Sequence, residues 1–180
     1  MKQNLKRLFT AAAFPLAALA AETPQAPAAA QGPTDPQIAA IVVTANNVDI
    51  TAGKFAKIQT KDPEVKKFAE QMIIDHSAVN KSATDLASKL KLKPEENETS
   101  KGLKKSGDEA LLKMKSLKGK DFDKAYVDNE VTYHQIVLDS IDKTLIPSAR
   151  NPDLKNLLNQ VRPNIAAHLD HAKHLQAKMR

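Results

Sequence analysis

There is no cysteine in this chain, no tryptophan, and few aromatics (4%) or glycines (five) among its 180 residues. Without cysteine there is no disulfide scaffold, iron–sulfur cluster, thiolate zinc site or cysteine nucleophile. Scarce glycine and aromatics argue against a β-sandwich and against a Gly-rich nucleotide fold. The one long apolar run, Leu8 to Leu19, is roughly a dozen residues, short of the ~20 a helix needs to cross a bilayer. Nucleophile elbows, phosphate loops and paired catalytic carboxylates on loops are missing too, which leaves no recognisable hydrolase.

What the chain does carry begins at its N-terminus. Lys2, Lys6 and Arg7 precede the apolar run, and Ala18-Leu19-Ala20 closes it. A basic segment, a short apolar segment and an A-x-A site read as a secretory signal over residues 1–20. The mature chain is therefore expected in the periplasm, without a transmembrane helix and, lacking a cysteine after the run, without a lipoprotein anchor. Removing those three cations takes the net charge from +6 to about +3. So small a balance gives no reason to expect nucleic acid as a partner. The seven lysines between 101 and 120 read as a solvated face. Residues 21–34, rich in Ala, Pro, Gln and Thr, read as a flexible linker.

From residue 35 onward the apolar residues fall at helical spacing. Ile38, Ile41, Ala45, Val48, Ala52 and Phe55 mark one helix, from about Asp35 to Thr60. Asp62-Pro63-Glu64 opens a second with a cap, a proline where no N–H is needed and an acid at the positive end of the dipole. A third runs from about Asp121 towards Pro147, and Asn151-Pro152-Asp153 opens a fourth by the same device as the second. Residues 93–105 read as a solvated connection, followed by a short extra helix over Ala110–Leu117. No segment alternates as a strand does. The expected fold is all-α over residues 35–180, an up-down-up-down four-helix bundle with a short extra helix before helix three.

The stripes contain polar residues where leucine or alanine is ordinary. His76 is in register with Met72 and Val79, and His168 with Ile165 and Ala172. His134 lies between Glu130 and Val137, and Asp49 borders Val48 and Ala52. At 1.5 Å per residue, Asp49, His76, His134 and His168 stand roughly 16, 20, 20 and 24 Å from one end of the bundle. Imidazoles and a carboxylate meeting at mid-height are how helical bundles hold metals. Asp49, His76, Glu130, His134 and His168 are thus candidate ligands of a divalent transition metal. A closed polar network, completed by Tyr126, Asn129 and Tyr133, is the alternative. The carboxylate-bridged di-iron pattern is absent, because Ile73 and Ile165 stand three residues before His76 and His168, where Glu-x-x-His needs glutamate. His171 and His174 continue the spacing of three from His168. His171 is a weaker candidate beside His168, and His174 is expected in solvent.

Val65-Lys66-Lys67-Phe68-Ala69, Asp75-His76-Ser77, Phe122-Asp123-Lys124-Ala125-Tyr126 with His134, and Pro163 with His168-Leu169 together resemble a bacterial family. It is the one grouped as domain of unknown function 4142, whose members are often labelled outer-membrane or periplasmic proteins. The resemblance covers roughly residues 36–178. It implies a ferritin-like bundle, export across the inner membrane and no established activity, and it makes envelope or outer-membrane association the partner class to consider. Where that family carries Gly-Gly-Met-x-Glu in helix one, this chain has Asn46-Asn47-Val48 and Asp49.

Three functions fit these residues. The first is a non-enzymatic binding or stress-related module with a polar mid-bundle cluster. The second is a metal sequestration or redox protein using that cluster. The third is a structural or interaction domain whose polar core fixes helix register.

Overall fold

Prolines and short polar caps set where the helices begin in the computed structural model, which describes residues 32–179. The expected signal segment 1–20 and nearly all of the expected linker lie outside the described residues. Helix α1 (Asp35–Gln59) starts behind Thr34, whose backbone N–H donates to Gln37 Oε1 at 3.1 Å. In α2 (Pro63–Lys89), Asp62 Oδ1 accepts from the N–H groups of Glu64 and Val65 at 2.8 and 3.1 Å. Asn151 does the same for Asp153 and Leu154 of the last helix, α6 (Pro152–Lys178), as the parallel sequences predict. Asp62→Ala should cost about 1 kcal/mol, read as a lower urea midpoint with unchanged slope.

The connection before helix three differs from expectation. Helix α3 spans Glu98–Lys115, so much of the lysine-rich stretch read as solvated connection is helical. Asn97 and Ser100 form a reciprocal cap, and Lys104–Asp108 and Lys105–Glu109 pairs line the outside at spacing of four. Its buried face is thin, with Ser100 and Met114 the residues fully covered. Gly107 lets it approach α1 closely: a Cβ there would stand 2.5 Å from a Val48 methyl.

Helix α4 (Gly119–Ser140) begins at a glycine with φ +54°, a conformation other residues avoid. It continues as a π-helical turn, Ile141–Leu145, into the short α5, Ile146–Ser148. Pro147 has no N–H and its ring crowds the carbonyl four residues back, and a widened turn accommodates both. Arg162 grips Asp142 in that turn through two hydrogen bonds of 2.5 and 2.7 Å. Helix α6 continues through Pro163.

All regular structure among the described residues is helical, with no strand. The most extensive contacts join α1 to α2 and α4 to α6; α2 also meets α6, α1 meets α4, and α3 lies chiefly against α1. Asp35 ties two helix starts together, its carboxylate accepting from the N–H groups of Arg150 and Asn151 at 2.9 and 3.0 Å. No described helix is long and apolar enough to cross a membrane.

The apolar core is divided in two. One cluster gathers Ala52, Ala56, Phe68, Met72, Phe122, Tyr126, Ala172 and Leu175. The other gathers Ile38, Ile41, Ala83, Ile141, Leu154, Leu158 and Ile165. Along each of α1, α2, α4 and α6 the chain passes from one cluster to the other, and polar residues occupy the passage.

Candidate metal centre

Asp49 of α1, His76 of α2, Glu130 and His134 of α4 and His168 of α6 fill that passage, with exposures of 1, 3, 1, 1 and 7%. The constant rise of a helix placed four of them at one height, and the fold brings them into contact. The three imidazole rings form a nearly equilateral triangle, with centroids 5.5, 5.2 and 5.4 Å apart. His76, His134 and His168 each offer a nitrogen within 4.8 Å of the others, and Asp49, Glu130 and His134 make a second such group.

Each ring is held by one nitrogen. His76 Nδ1 faces Asn46 Oδ1 at 2.7 Å, His134 Nδ1 faces the Glu130 carbonyl at 3.0 Å, and His168 Nε2 faces Asp75 Oδ2 at 2.9 Å. All three partners are acceptor oxygens, so these nitrogens carry the proton. In the neutral ring the other nitrogen then has a bare lone pair. Those nitrogens, His76 Nε2, His134 Nε2 and His168 Nδ1, are buried without a hydrogen-bond partner. Both oxygens of Asp49 and of Glu130 share that condition. Asp49 Oδ2 stands 3.3 Å from His76 Nε2 and 3.4 Å from His134 Nε2.

Burial sets the protonation of the layer. It pushes the Asp49 carboxyl from its ordinary 3.8 up to about 8. Burial, reinforced by the neighbouring Asp49, raises Glu130 well above the usual range. Burial likewise lowers His134 to about 4 and His76 well below 6.5, with the other imidazoles adding repulsion. His76 and His134 are therefore neutral at neutral pH, the state that metal coordination requires.

Of the candidate partners of a closed network, Asn129 lies against the Glu130 carboxyl and partly offsets the effect of its burial, but the two tyrosines do not close the network. The Tyr133 hydroxyl donates to the Ala45 carbonyl at 2.9 Å. The Tyr126 hydroxyl is buried without a partner, its pKa raised by burial and then by Glu130 and Asp49. Asn46 and Asp75, which orient two of the imidazoles, do not stand out in the sequence; the one signal is Asp75 directly preceding His76, and its partner lies on another helix.

His171 is not part of the cluster. Spacing of three carries it round the helix to an exposed position, where its ring meets the Phe68 edge at a centroid distance of 5.0 Å. The pairing of His168 with His171 is thereby corrected: the groups near His168 are His76, His134 and Asp75. His174 is exposed, as expected.

Chemically, the layer presents seven lone-pair atoms without hydrogen-bond partners: two nitrogens on α2 and α4, one on α6, and four carboxyl oxygens. Even with both carboxyls protonated, they and Tyr126 have three hydrogens to give. A cation is the group that satisfies many converging lone pairs at once.

Comparison with curated proteins and with solved structures finds no match. A family model does match, over residues 20–175, and its description is Domain of unknown function (DUF4142). The chain belongs to that family, as the motifs around His76, His134 and His168 indicated.

Proposed function

We propose that this protein is a non-enzymatic binding module that holds one divalent transition-metal ion between His76, His134, His168 and Asp49. A single observation carries the reading: each imidazole spends one nitrogen on an orienting oxygen and turns the other, unpartnered, towards the same buried layer. Metal-bound histidines have that arrangement, the outer hydrogen bond fixing tautomer and ring direction. Ligands at 2.0–2.1 Å around a tetrahedral ion stand about 3.4 Å apart, and the Asp49 contacts of 3.3 and 3.4 Å match that edge. Charge agrees as well. One divalent ion with ionised Asp49 and Glu130 and neutral imidazoles leaves a buried layer with no net charge. A second ion would not be neutralised, consistent with the missing Glu-x-x-His pattern. Imidazole with carboxylate suits zinc, copper, nickel or iron.

We read the packing of α1, α2, α4 and α6 as an up-down-up-down four-helix bundle of the ferritin-like kind, with the site built from facing helices. We further propose that the chain is exported, residues 1–20 are removed, and residues 21–34 link the bundle to its new N-terminus. Untagged protein isolated from the periplasm should have the mass expected without residues 1–20 and carry about one equivalent of metal by elemental analysis. Metal-free protein that also fails to take up zinc, copper, nickel or iron would overturn the reading.

A further inference from the structure

One face of the imidazole layer does not meet packed core. It meets a cavity of about 40 Å³, roughly three times the 10–15 Å³ that a single water requires. Asn46, His76 and His134 form one wall. Val137, Leu158 and Ile165 are among the apolar side chains that form the rest, and the π turn contributes Ile141 and Leu145. A largely apolar cavity whose few polar groups are engaged stays dry and takes small apolar molecules. π-helical turns break regular packing and gather at functional sites. Here the turn lies beside the metal layer, and the wall opposite it comes from α6 on both sides of Pro163.

We propose that this cavity is a binding site for a small uncharged molecule of two or three heavy atoms, dioxygen in size and polarity, held against the His76–His134 face of the metal site. The volume suits a molecule of that size, and the apolar walls disfavour ions. The choice of a metal-facing ligand rests on the metal reading above; the cavity itself does not. Water would need two to four polar partners there. Of the polar groups of the wall, His76 Nδ1 is committed to Asn46, His134 Nδ1 to the Glu130 carbonyl and the Tyr133 hydroxyl to the Ala45 carbonyl, and a bound ion takes the lone pairs of His76 Nε2 and His134 Nε2, which leaves Ser140 as the remaining polar side chain.

Xenon is the probe. Full-length protein loaded with zinc and equilibrated with xenon should bind one atom per chain, located in crystals between Val137, Leu158 and Ile165 and followed in solution by xenon-129 resonance. Val137→Phe, at a half-buried position, should fill the space and abolish binding; Val161→Phe serves if the first variant melts early. Ordered water in the cavity, no xenon in the native protein, or xenon retained by the filled variant would each overturn the proposal. Repeating the measurement on protein loaded with cobalt(II) should broaden the xenon resonance strongly. Sharp xenon in a sample of confirmed cobalt content would overturn the placement against the metal. A sample that takes up no cobalt but still binds xenon would indict the metal reading and support the cavity.

Discussion

Metal-stripped protein carrying Asp49→Val is expected to be more stable than the metal-stripped wild type and to gain nothing from added zinc. The two halves of this result have one cause. Asp49 is 1% exposed, neither of its oxygens has a hydrogen-bond partner, and burial holds its carboxyl at about 8. Without a metal it is an uncompensated polar group, and such groups cost about 1–3 kcal/mol. Valine removes that cost in a site flanked by apolar clusters, so a gain of about that size should appear in urea melts with chelator present. With zinc at about a thousand times its dissociation constant, binding stabilises the wild type by about 4 kcal/mol. For a domain of this size that is a rise of about 10 °C in melting temperature. The variant lacks the carboxylate that touches both His76 and His134 and should lose at least about 100-fold in affinity, since even outer partners of ligands are worth 10–100-fold. A closed hydrogen-bond network predicts the reverse for the metal-free state, with Asp49→Val destabilising by about 1–3 kcal/mol whether or not chelator is present.

How much of this was legible beforehand follows from which interactions are local. The starts of α2 and α6 were readable because cap, proline and first-turn acid lie within three residues. The common height of Asp49, His76, His134 and His168 was readable because helical rise is constant and the connections are short. Helix α3 was read too short. Its support comes from charged pairs at spacing of four and from Gly107 pressed on Val48, neither of which produces an apolar stripe. The π turn leaves no periodic signature beyond Pro147. The orienting groups Asn46 and Asp75 were out of reach for another reason. They contact imidazoles 30 and 93 positions away, so ring orientation emerges from packing angles that the sequence does not display. Tyr133 shows the same limit from the other side: its register suits a network partner, yet its hydroxyl donates to the Ala45 carbonyl.

Raising the pH from 6.5 to 8 should weaken the metal-free fold and leave the metal-bound one nearly unchanged. In the unfolded chain Asp49 ionises near its ordinary 3.8, whereas in the fold burial delays ionisation to about 8. Between those values the folded state holds the extra proton, so stability falls as pH rises, at about 1.4 kcal/mol per pH unit. From pH 6.5 to 8 that is a loss of about 2 kcal/mol, and Glu130, raised in the same direction, adds to it. His76 and His134 work in the opposite sense over a lower window. Their folded values are depressed below 6.5, His134 to about 4, so the unfolded chain holds the extra protons there and stability rises with pH. The two effects oppose each other below pH 6.5, and above it the carboxyls act alone. Metal binding requires those carboxyls to be ionised, so each proton displaced by the ion makes affinity climb with pH. Urea melts at pH 6.5 and 8, with zinc and with chelator, should therefore diverge, the gap between the two curves widening as the metal-free protein loses stability. Asp49→Val should flatten the metal-free dependence by the share belonging to that one carboxyl. Parallel curves across this range would mean that the carboxyls are already ionised in the metal-free fold. Their charge would then have to be matched by the imidazoles, which is the network and not the metal site.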